Sequence, residues 1–193
     1  MTNIRRFYVP DTAVFMTAVC HMRNTHLKSD ANKGLLLTIM REVKAEKPYN
    51  MLGYILLDDH FHWMIQIQEK SASETTRIFK KKKNKYGKEN QYWISEIMQS
   101  VKLRYTYRYK KLNQLKGHVT LWQNRFWDHI VRNQEDFNNH LDYIHYNPVK
   151  HGYVSQPLNY RWSSFHSCVE QGFYAPNWAA AEEPQHLIGI SWE

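Results

Sequence analysis

Apolar and polar residues alternate along one stretch near the middle of the chain, and this stretch reads HFHWMIQIQ over residues 60–68. The odd-numbered positions are apolar, and the even-numbered positions are polar or adaptable. Successive side chains of a β-strand point to opposite faces of the sheet, so the pattern predicts a half-buried strand. One face would join the core, and the other would carry His60 and His62 side by side on a solvated surface.

The rest of the pattern predicts three more strands and three helices. Short apolar or β-branched runs predict strands over residues 13–20, 51–57 and 120–131, and Asp58 and Asp59 form a turn before the His60 strand. Apolar residues at helical spacing predict a helix between the capping residues Ser29 or Asp30 and Pro48, a helix from Ile94 to Gly117, and a helix over 134–147 that Pro148 ends.

The predicted element order is β-α-β-β-α-β-α. Strand pairs joined by helices on one side are typical of the α+β class, with a ferredoxin-like antiparallel sheet and helices packed on it. Residues 1–193 would form one domain, and an irregular C-terminal tail over 152–193 would pack on the rest.

Charge and aromatic content favour a nucleic-acid partner. The chain has a net charge of +8, with 13 Tyr, 7 Trp and 8 Phe, so cations can follow phosphates and rings can stack on bases. An anionic membrane surface is the competing partner, but the sequence has no long basic amphipathic helix and no apolar run near 20 residues. Cys20 and Cys168 lie far apart and make no disulfide framework, which favours a reducing cytoplasm.

His60 and His62 are candidate metal ligands. Side chains at i and i+2 leave the same face of a strand, so both imidazoles could bind one divalent cation. Two histidines on a solvated face are more often simple surface residues, and the pair alone does not decide between the two interpretations.

The predicted helix over 134–147 could complete this site. An apolar stripe is formed by Phe137, Leu141 and Ile144, and an adjacent polar stripe by Asp136, His140, Tyr143 and Asn147. If the helix packs near the start of the His60 strand, Asn147 could give a third ligand and Tyr143 would point at the metal. A rival tyrosine cluster in a basic setting comprises Tyr105, Tyr107 and Tyr109, and spacing alone does not choose between them.

These residue types suit phosphodiester cleavage by a protein nucleophile. A phenol can attack phosphorus, a cation can polarise the scissile phosphate, and three protein ligands leave metal positions open for phosphate oxygens. A phosphotyrosine conserves the bond energy, so the strand could be rejoined without ATP.

Four segments of the chain resemble a known family. His60-Phe61-His62 resembles the HUH motif (histidine, hydrophobic residue, histidine) of single-tyrosine endonucleases and transposases. The closer resemblance is to the REP-associated tyrosine transposases, or RAYTs, and it lies in WQNRFWDH (122–129), DYIHYNPVKHG (142–152) and RWSSF (161–165). The resemblance extends from about Arg5 to Trp178.

The resemblance implies a function and a set of site residues. Tyr143 would be the catalytic nucleophile, and His60 and His62, with Asn147 in the third position, would bind Mg²⁺ or Mn²⁺. The family cleaves single-stranded DNA beside REP-type hairpins and leaves a 5′-phosphotyrosine and a free 3′-OH. Such a protein would act in the cytoplasm at the nucleoid, as a monomer or a homodimer, and the tail could cover either the dimerisation surface or the active site.

Basic and aromatic residues would supply the DNA contacts. The basic candidates are Arg5, Arg6, Lys80, Lys81, Lys82, Lys83, Arg104, Arg108, Arg125, Arg132 and Lys150. Trp127 and Tyr146 could stack on unpaired bases, although a core position is the alternative for Trp127. Two other functions stay open: a catalytically silent hairpin-binding regulator, and a hydrolase that uses a metal-bound water.

Overall fold

The computed structural model describes residues 12–67, 93–180 and 182–192. The predicted DNA contacts at Arg5, Arg6, Lys80, Lys81, Lys82 and Lys83 lie outside these residues. Four strands form one antiparallel sheet in the order β2-β3-β1-β4, and their bounds are β1 Ala13–Val19, β2 Tyr49–Leu56, β3 His60–Ile67 and β4 Trp127–Ile130. The helices are α1 Asp30–Glu46, α2 Trp93–Leu112, α3 Gln134–Lys150 and α4 Phe165–Glu170. The predicted α+β fold with a ferredoxin-like sheet is therefore confirmed.

Both faces of the sheet are covered. On one face, Phe61, Trp63 and Ile65 of β3 share a core cluster with buried residues of α1 and α2. On the other face, Met64 packs with residues of α3 and the C-terminal tail, and His60 and His62 are only 1% and 0% exposed. The prediction of a solvated histidine face is wrong, because an alternating pattern shows that two faces differ but not what packs on the polar one.

The predicted end of α1 is close to the observed one, whereas the predicted bounds of α2 and of the strand over 120–131 need correction. The helix α1 ends at Glu46, close to Pro48 as predicted, and the side chain of its N-cap Ser29 accepts a hydrogen bond from an amide of the first turn. The helix α2 ends at Leu112, before Gly117. The strand predicted over 120–131 is shortened to β4, preceded by an isolated bridge between Cys20 and Trp122.

Pro148 lies inside α3, so the prediction that it ends this helix is wrong. A proline lacks the N–H that would bond four residues back, and near the end of a helix only this one bond is lost. The helical hydrogen bonding resumes at once, because the His151 N–H donates to the Asn147 carbonyl at 3.0 Å. Asn147 therefore keeps helical geometry, one turn after Tyr143.

A glycine allows α3 to lie close to the sheet. Gly53 is on the edge strand β2, where the pairing register with β3 shifts. A Cβ atom at this position would lie 2.6 Å from Cδ1 of Leu141 on α3. Any side chain here would have to displace Leu141 or the helix, so the glycine permits the close approach.

No helix within the described ranges is long and apolar enough to cross a membrane.

The N-terminus of α3 offers a test of how firmly the helix is held. The Asn133 side chain accepts a hydrogen bond from the Asp136 N–H at 2.8 Å. We expect Asn133→Ala to lower the free energy of unfolding by about 1 kcal/mol, because the cap is lost. Asn138→Ala, an exposed change on the same helix, should alter it by less than about 0.5 kcal/mol in urea denaturation. Equal effects of the two changes would contradict the capping role.

Candidate active site

The two histidines lie at the start of β3, deep in the face that α3 covers. Their ring centroids are 5.0 Å apart, and the ring planes are inclined at 78°. In the sheet register, His62 lies opposite Thr17 of β1. The His62 ring also stacks on Phe15, with centroids 5.4 Å apart.

Thr17 fixes the tautomer of His62. The Thr17 hydroxyl donates its proton to the Trp192 carbonyl at 2.9 Å, because a carbonyl can only accept. The 2.8 Å contact between the Thr17 oxygen and His62 Nδ1 must then be donated by the ring. The lone pair of His62 is left on Nε2, which is buried and makes no hydrogen bond within the described structure. A lone pair held in this way is what a metal ligand requires.

Asp59 orients the other imidazole. Its carboxylate lies 2.6 Å from His60 Nδ1, so this nitrogen donates and the lone pair is on Nε2. The second carboxylate oxygen accepts a hydrogen bond from Arg23 at 3.2 Å. Burial disfavours the charged carboxylate, but the bonds and charges of His60 and Arg23 outweigh it and lower the pKa of Asp59 to about 2. A carboxylate–histidine pair of this kind is the usual support for a metal-ligating ring.

His62 is held in its neutral form. Its complete burial lowers the pKa of His62 well below the ordinary value, and electrostatic interactions with His60, His151, Lys150 and Arg23 act in the same direction. A neutral imidazole is the form that binds a cation.

The helix α3 brings Tyr143 to His62 and His151 to His60, and Asn147 lies between these two residues on the same helix face, which meets the condition set by the sequence. The Tyr143 and His62 ring centroids are 5.2 Å apart, and Tyr143 is 1% exposed. Asn147 is fully buried, and neither atom of its amide has a hydrogen-bond partner within the described structure. Leaving such groups without partners is costly, and a bound cation with its waters would satisfy them. Two imidazole nitrogens and an amide oxygen are donor types that suit a divalent cation, and three protein ligands would leave positions open.

The rival tyrosines lie on the other side of the sheet. Tyr105 belongs to the core cluster formed with α1 and α2, and its hydroxyl donates to the His26 carbonyl at 3.1 Å. Burial raises the pKa of the Tyr105 phenol. Tyr107 is 72% exposed on α2. The fold thus separates this cluster from the histidine pair and leaves Tyr143 beside it.

The C-terminal tail covers Tyr143. The backbone N–H of Trp192 donates to the Tyr143 hydroxyl at 3.2 Å, and Lys150 Nζ lies 3.4 Å from the same oxygen. Lys150 also donates to the Ile190 carbonyl at 2.6 Å. Upstream in the tail, His186 contacts the Asp142 carboxylate at 2.9 Å. Of the two positions that the sequence allowed for the tail, the structure shows the one over the candidate site.

Sequence reasoning missed three of these residues. Asp59 was assigned only to a turn, although an acidic residue directly before the first histidine is a usable signal. Thr17 sits within an apolar run, and only the strand register connects it with His62. Trp192 lies 49 residues from Tyr143, and no local pattern indicates their contact.

A second group of potential metal ligands lies between β4 and the N-terminal half of α3. Ligand-type atoms of His129, Asp136 and His140 lie within 4.8 Å of one another. The two imidazoles are stacked, with centroids 4.5 Å apart and planes at 11°, so they cannot both aim ring lone pairs at an ion between them. Asp136 already bonds to His129 Nε2 at 2.8 Å and to Arg132 Nε at 3.1 Å. Burial opposes the charge, yet these partners hold the pKa of Asp136 well below its usual range.

The predicted DNA-contacting residues that the structure describes lie in different environments. Arg104 and Arg108 form ion pairs with Glu46 and Glu42 across α1 and α2. Arg125 is exposed, and Arg132 is exposed beside the stacked histidines. Lys150 alone among them contacts Tyr143 within the described residues. DNA contacts by all of these side chains stay a prediction.

Comparisons of sequence and of structure both find similarity to the same kind of protein. No family model matches the chain. It is 28% identical to the REP-associated tyrosine transposase of Escherichia coli K12, over 93% of this chain and 92% of that protein. It is 31% identical to a Haemophilus influenzae relative of the same family name, over 92% of this chain and 93% of the relative. A solved structure described as a REP-associated tyrosine transposase bound to a REP hairpin aligns with a TM-score of 0.70 and 27% identity, over 95% of this chain and 94% of that one.

The support of His60 by Asp59 gives a direct test of the candidate metal site. We expect Asp59→Asn to weaken Mn²⁺ binding about 10- to 100-fold, because the amide no longer fixes the His60 tautomer. Isothermal titration calorimetry on the purified protein would measure this change. Asp30→Asn, which alters an exposed carboxylate paired with Arg161, is the control and should bind Mn²⁺ normally. Unchanged Mn²⁺ affinity in Asp59→Asn would rule out this support.

Proposed function

Because the chain belongs to the REP-associated tyrosine transposases, we propose that it is a metal-dependent endonuclease and strand transferase that nicks and rejoins single-stranded DNA at REP-type hairpins. One observation carries the proposal: the Tyr143 phenol lies against His62, in a buried cluster whose polar atoms suit a divalent cation. The solved relative bound to a REP hairpin supports the choice of DNA partner.

Tyr143 is the nucleophile in this proposal. Its hydroxyl oxygen bonds to the scissile phosphorus while the bond from phosphorus to the 3′ oxygen breaks. The phenol gives up a proton and the departing 3′ oxygen takes one up, so the products are a 5′-phosphotyrosine and a free 3′-OH. Attack by a 3′-OH on the phosphotyrosine reverses the step and rejoins the strand.

The side chains around Tyr143 position the reacting groups. His60, His62 and Asn147 would hold Mg²⁺ or Mn²⁺, which supplies polarisation of the scissile phosphate. Lys150, whose Nζ lies 3.4 Å from the phenol oxygen, stabilises negative charge on that oxygen and on the phosphate. Phe15 packs against both the His62 and the Tyr143 rings and keeps this side of the site apolar.

A silent hairpin-binding regulator is the second candidate. It is favoured by the tail, which covers the hydroxyl of Tyr143 with the backbone of Trp192. It is disfavoured by the metal-competent tautomers that Thr17 and Asp59 enforce, because a binder without chemistry has no need of them.

Removal of the nucleophilic oxygen separates the two candidates. We expect Tyr143→Phe to bind hairpin DNA within about threefold of the unchanged protein, yet to form no covalent adduct, because the attacking oxygen is absent. Denaturing gels of reactions with single-stranded hairpin oligonucleotides and Mn²⁺ would detect the adduct. Tyr107→Phe, on the exposed face of α2, is the matched control and should form it normally.

Two further results would decide the mechanism. An adduct that persists in Tyr143→Phe would show that another residue is the nucleophile. Cleavage without any adduct would favour hydrolysis by water, and tight hairpin binding without cleavage in any metal would favour the regulator. Cleavage that survives in EDTA would remove the metal from the mechanism.

A further inference from the structure

Four aromatic rings form a continuous stack whose inner member, Trp192, lies beside Tyr143. The Trp192 indole stacks on His140, with centroids 3.9 Å apart and planes at 8°. His140 stacks in turn on His129 at 4.5 Å, and His129 on Trp127 at 5.9 Å and 5°. Trp127, for which the sequence left open a core position or a base-stacking role, is 40% exposed at the outer end of the stack. The stack therefore leads from the surface to the nucleophile.

The indole occupies a defined slot. His140 forms one wall, and the Tyr143 ring, 4.7 Å away and inclined at 59°, forms the other. Phe15 closes the floor, with its centroid 5.9 Å from the indole. A flat ring between an imidazole and a phenol is held by stacking and apolar contact rather than by shape alone.

The backbone of Trp192 makes polar contacts beside the slot. Its carbonyl oxygen accepts the Thr17 hydroxyl proton, and Thr17 is 1% exposed. Its N–H donates to the Tyr143 hydroxyl. The tail thus brings a flat ring and an acceptor oxygen together at the nucleophile, which is the same combination that a nucleotide presents with its base and its phosphate.

We propose that this slot, lined by His140, Phe15 and Tyr143, binds an unpaired nucleobase next to the scissile phosphate, and that Trp192 occupies the place of that base. The inference rests on the proposed function and specifies one subsite within it. Every nucleobase has a π-face, so stacking here is tolerant of sequence and selects for an unpaired nucleotide over a paired one.

Charge around the slot suits DNA better than an apolar partner. Lys150 flanks Tyr143 on one side, and Arg132 is 74% exposed beside the His129–His140 pair on the other. Both cations can reach phosphates of a strand whose base enters between them. For the base to enter, the indole must leave, so the tail and the DNA compete for the same rings.

The test measures binding without cleavage, in EDTA, with hairpin oligonucleotides that form the Tyr143 adduct when Mn²⁺ is present. Each oligonucleotide carries one abasic site at a different unpaired position near the cut. The full chain is compared with Trp192→Ala. Trp178→Ala is the control, because this tail tryptophan packs on Phe165 and Tyr174 and away from the slot.

We expect Trp192→Ala to bind intact DNA about fivefold or more tightly than the full chain, because stacking of one base is no longer opposed by the indole. One abasic position should cancel this gain, and abasic sites elsewhere should not. Trp178→Ala should show no dependence on position. A second change, His140→Leu in the Trp192→Ala protein, should remove the same position-specific gain, with thermal melts to show that the fold is kept.

Two results would contradict the subsite, and they differ in what they imply for the nuclease function. If adducts form but Trp192→Ala changes the binding of every abasic oligonucleotide equally, or changes none, the nucleobase subsite is wrong and the nuclease function stands. If no hairpin binds to either protein, the proposed function and the subsite are both overturned.

Discussion

The fold buries the imidazoles of His60 and His62 on the sheet face that α3 covers, and the rest of the structure depends on how this is achieved. A polar ring taken out of water costs free energy unless each of its nitrogens is satisfied. In this fold the Nδ1 atoms of His60 and His62 donate to Asp59 and Thr17, and the ring lone pairs are left on the Nε2 atoms. The Nε2 atom of His62 and both amide atoms of Asn147 have no hydrogen-bond partner within the described structure. Buried polar atoms without partners cost free energy, and a divalent cation bound at this cluster would offset that cost.

Much of the fold follows from local sequence. Alternation over residues 60–68 and the helical spacing of apolar residues in α1 and α3 gave the correct element types, and the element order gave the correct sheet. The errors concern where elements end. Pro148 stays in a helix because its lost hydrogen bond falls in the last turns, and most of 120–131 stays outside the sheet although its residue types favour strands.

The candidate site was predictable to the extent that its residues share one element. His60 and His62 are two residues apart on one strand, and Tyr143 and Asn147 are one turn apart on one helix, so periodicity alone placed each pair. The choice of Tyr143 over Tyr105 or Tyr107 by geometry required the sheet, because only the folded chain shows which face each helix covers. The roles of Thr17 and Trp192 come from contacts over 45 and 175 residues, and no residue-level pattern encodes such distances.

Gly53 packs against α3, the helix that carries Tyr143 and Asn147, through the side chain of Leu141. The missing side chain leaves room for Leu141 of α3 against the edge strand. Tyr143 and Asn147 belong to this same helix, so a shift of the helix would move both side chains together. A side chain at residue 53 would have to displace Leu141 or this helix, so a position on the edge strand is coupled to two residues of the candidate site through packing alone.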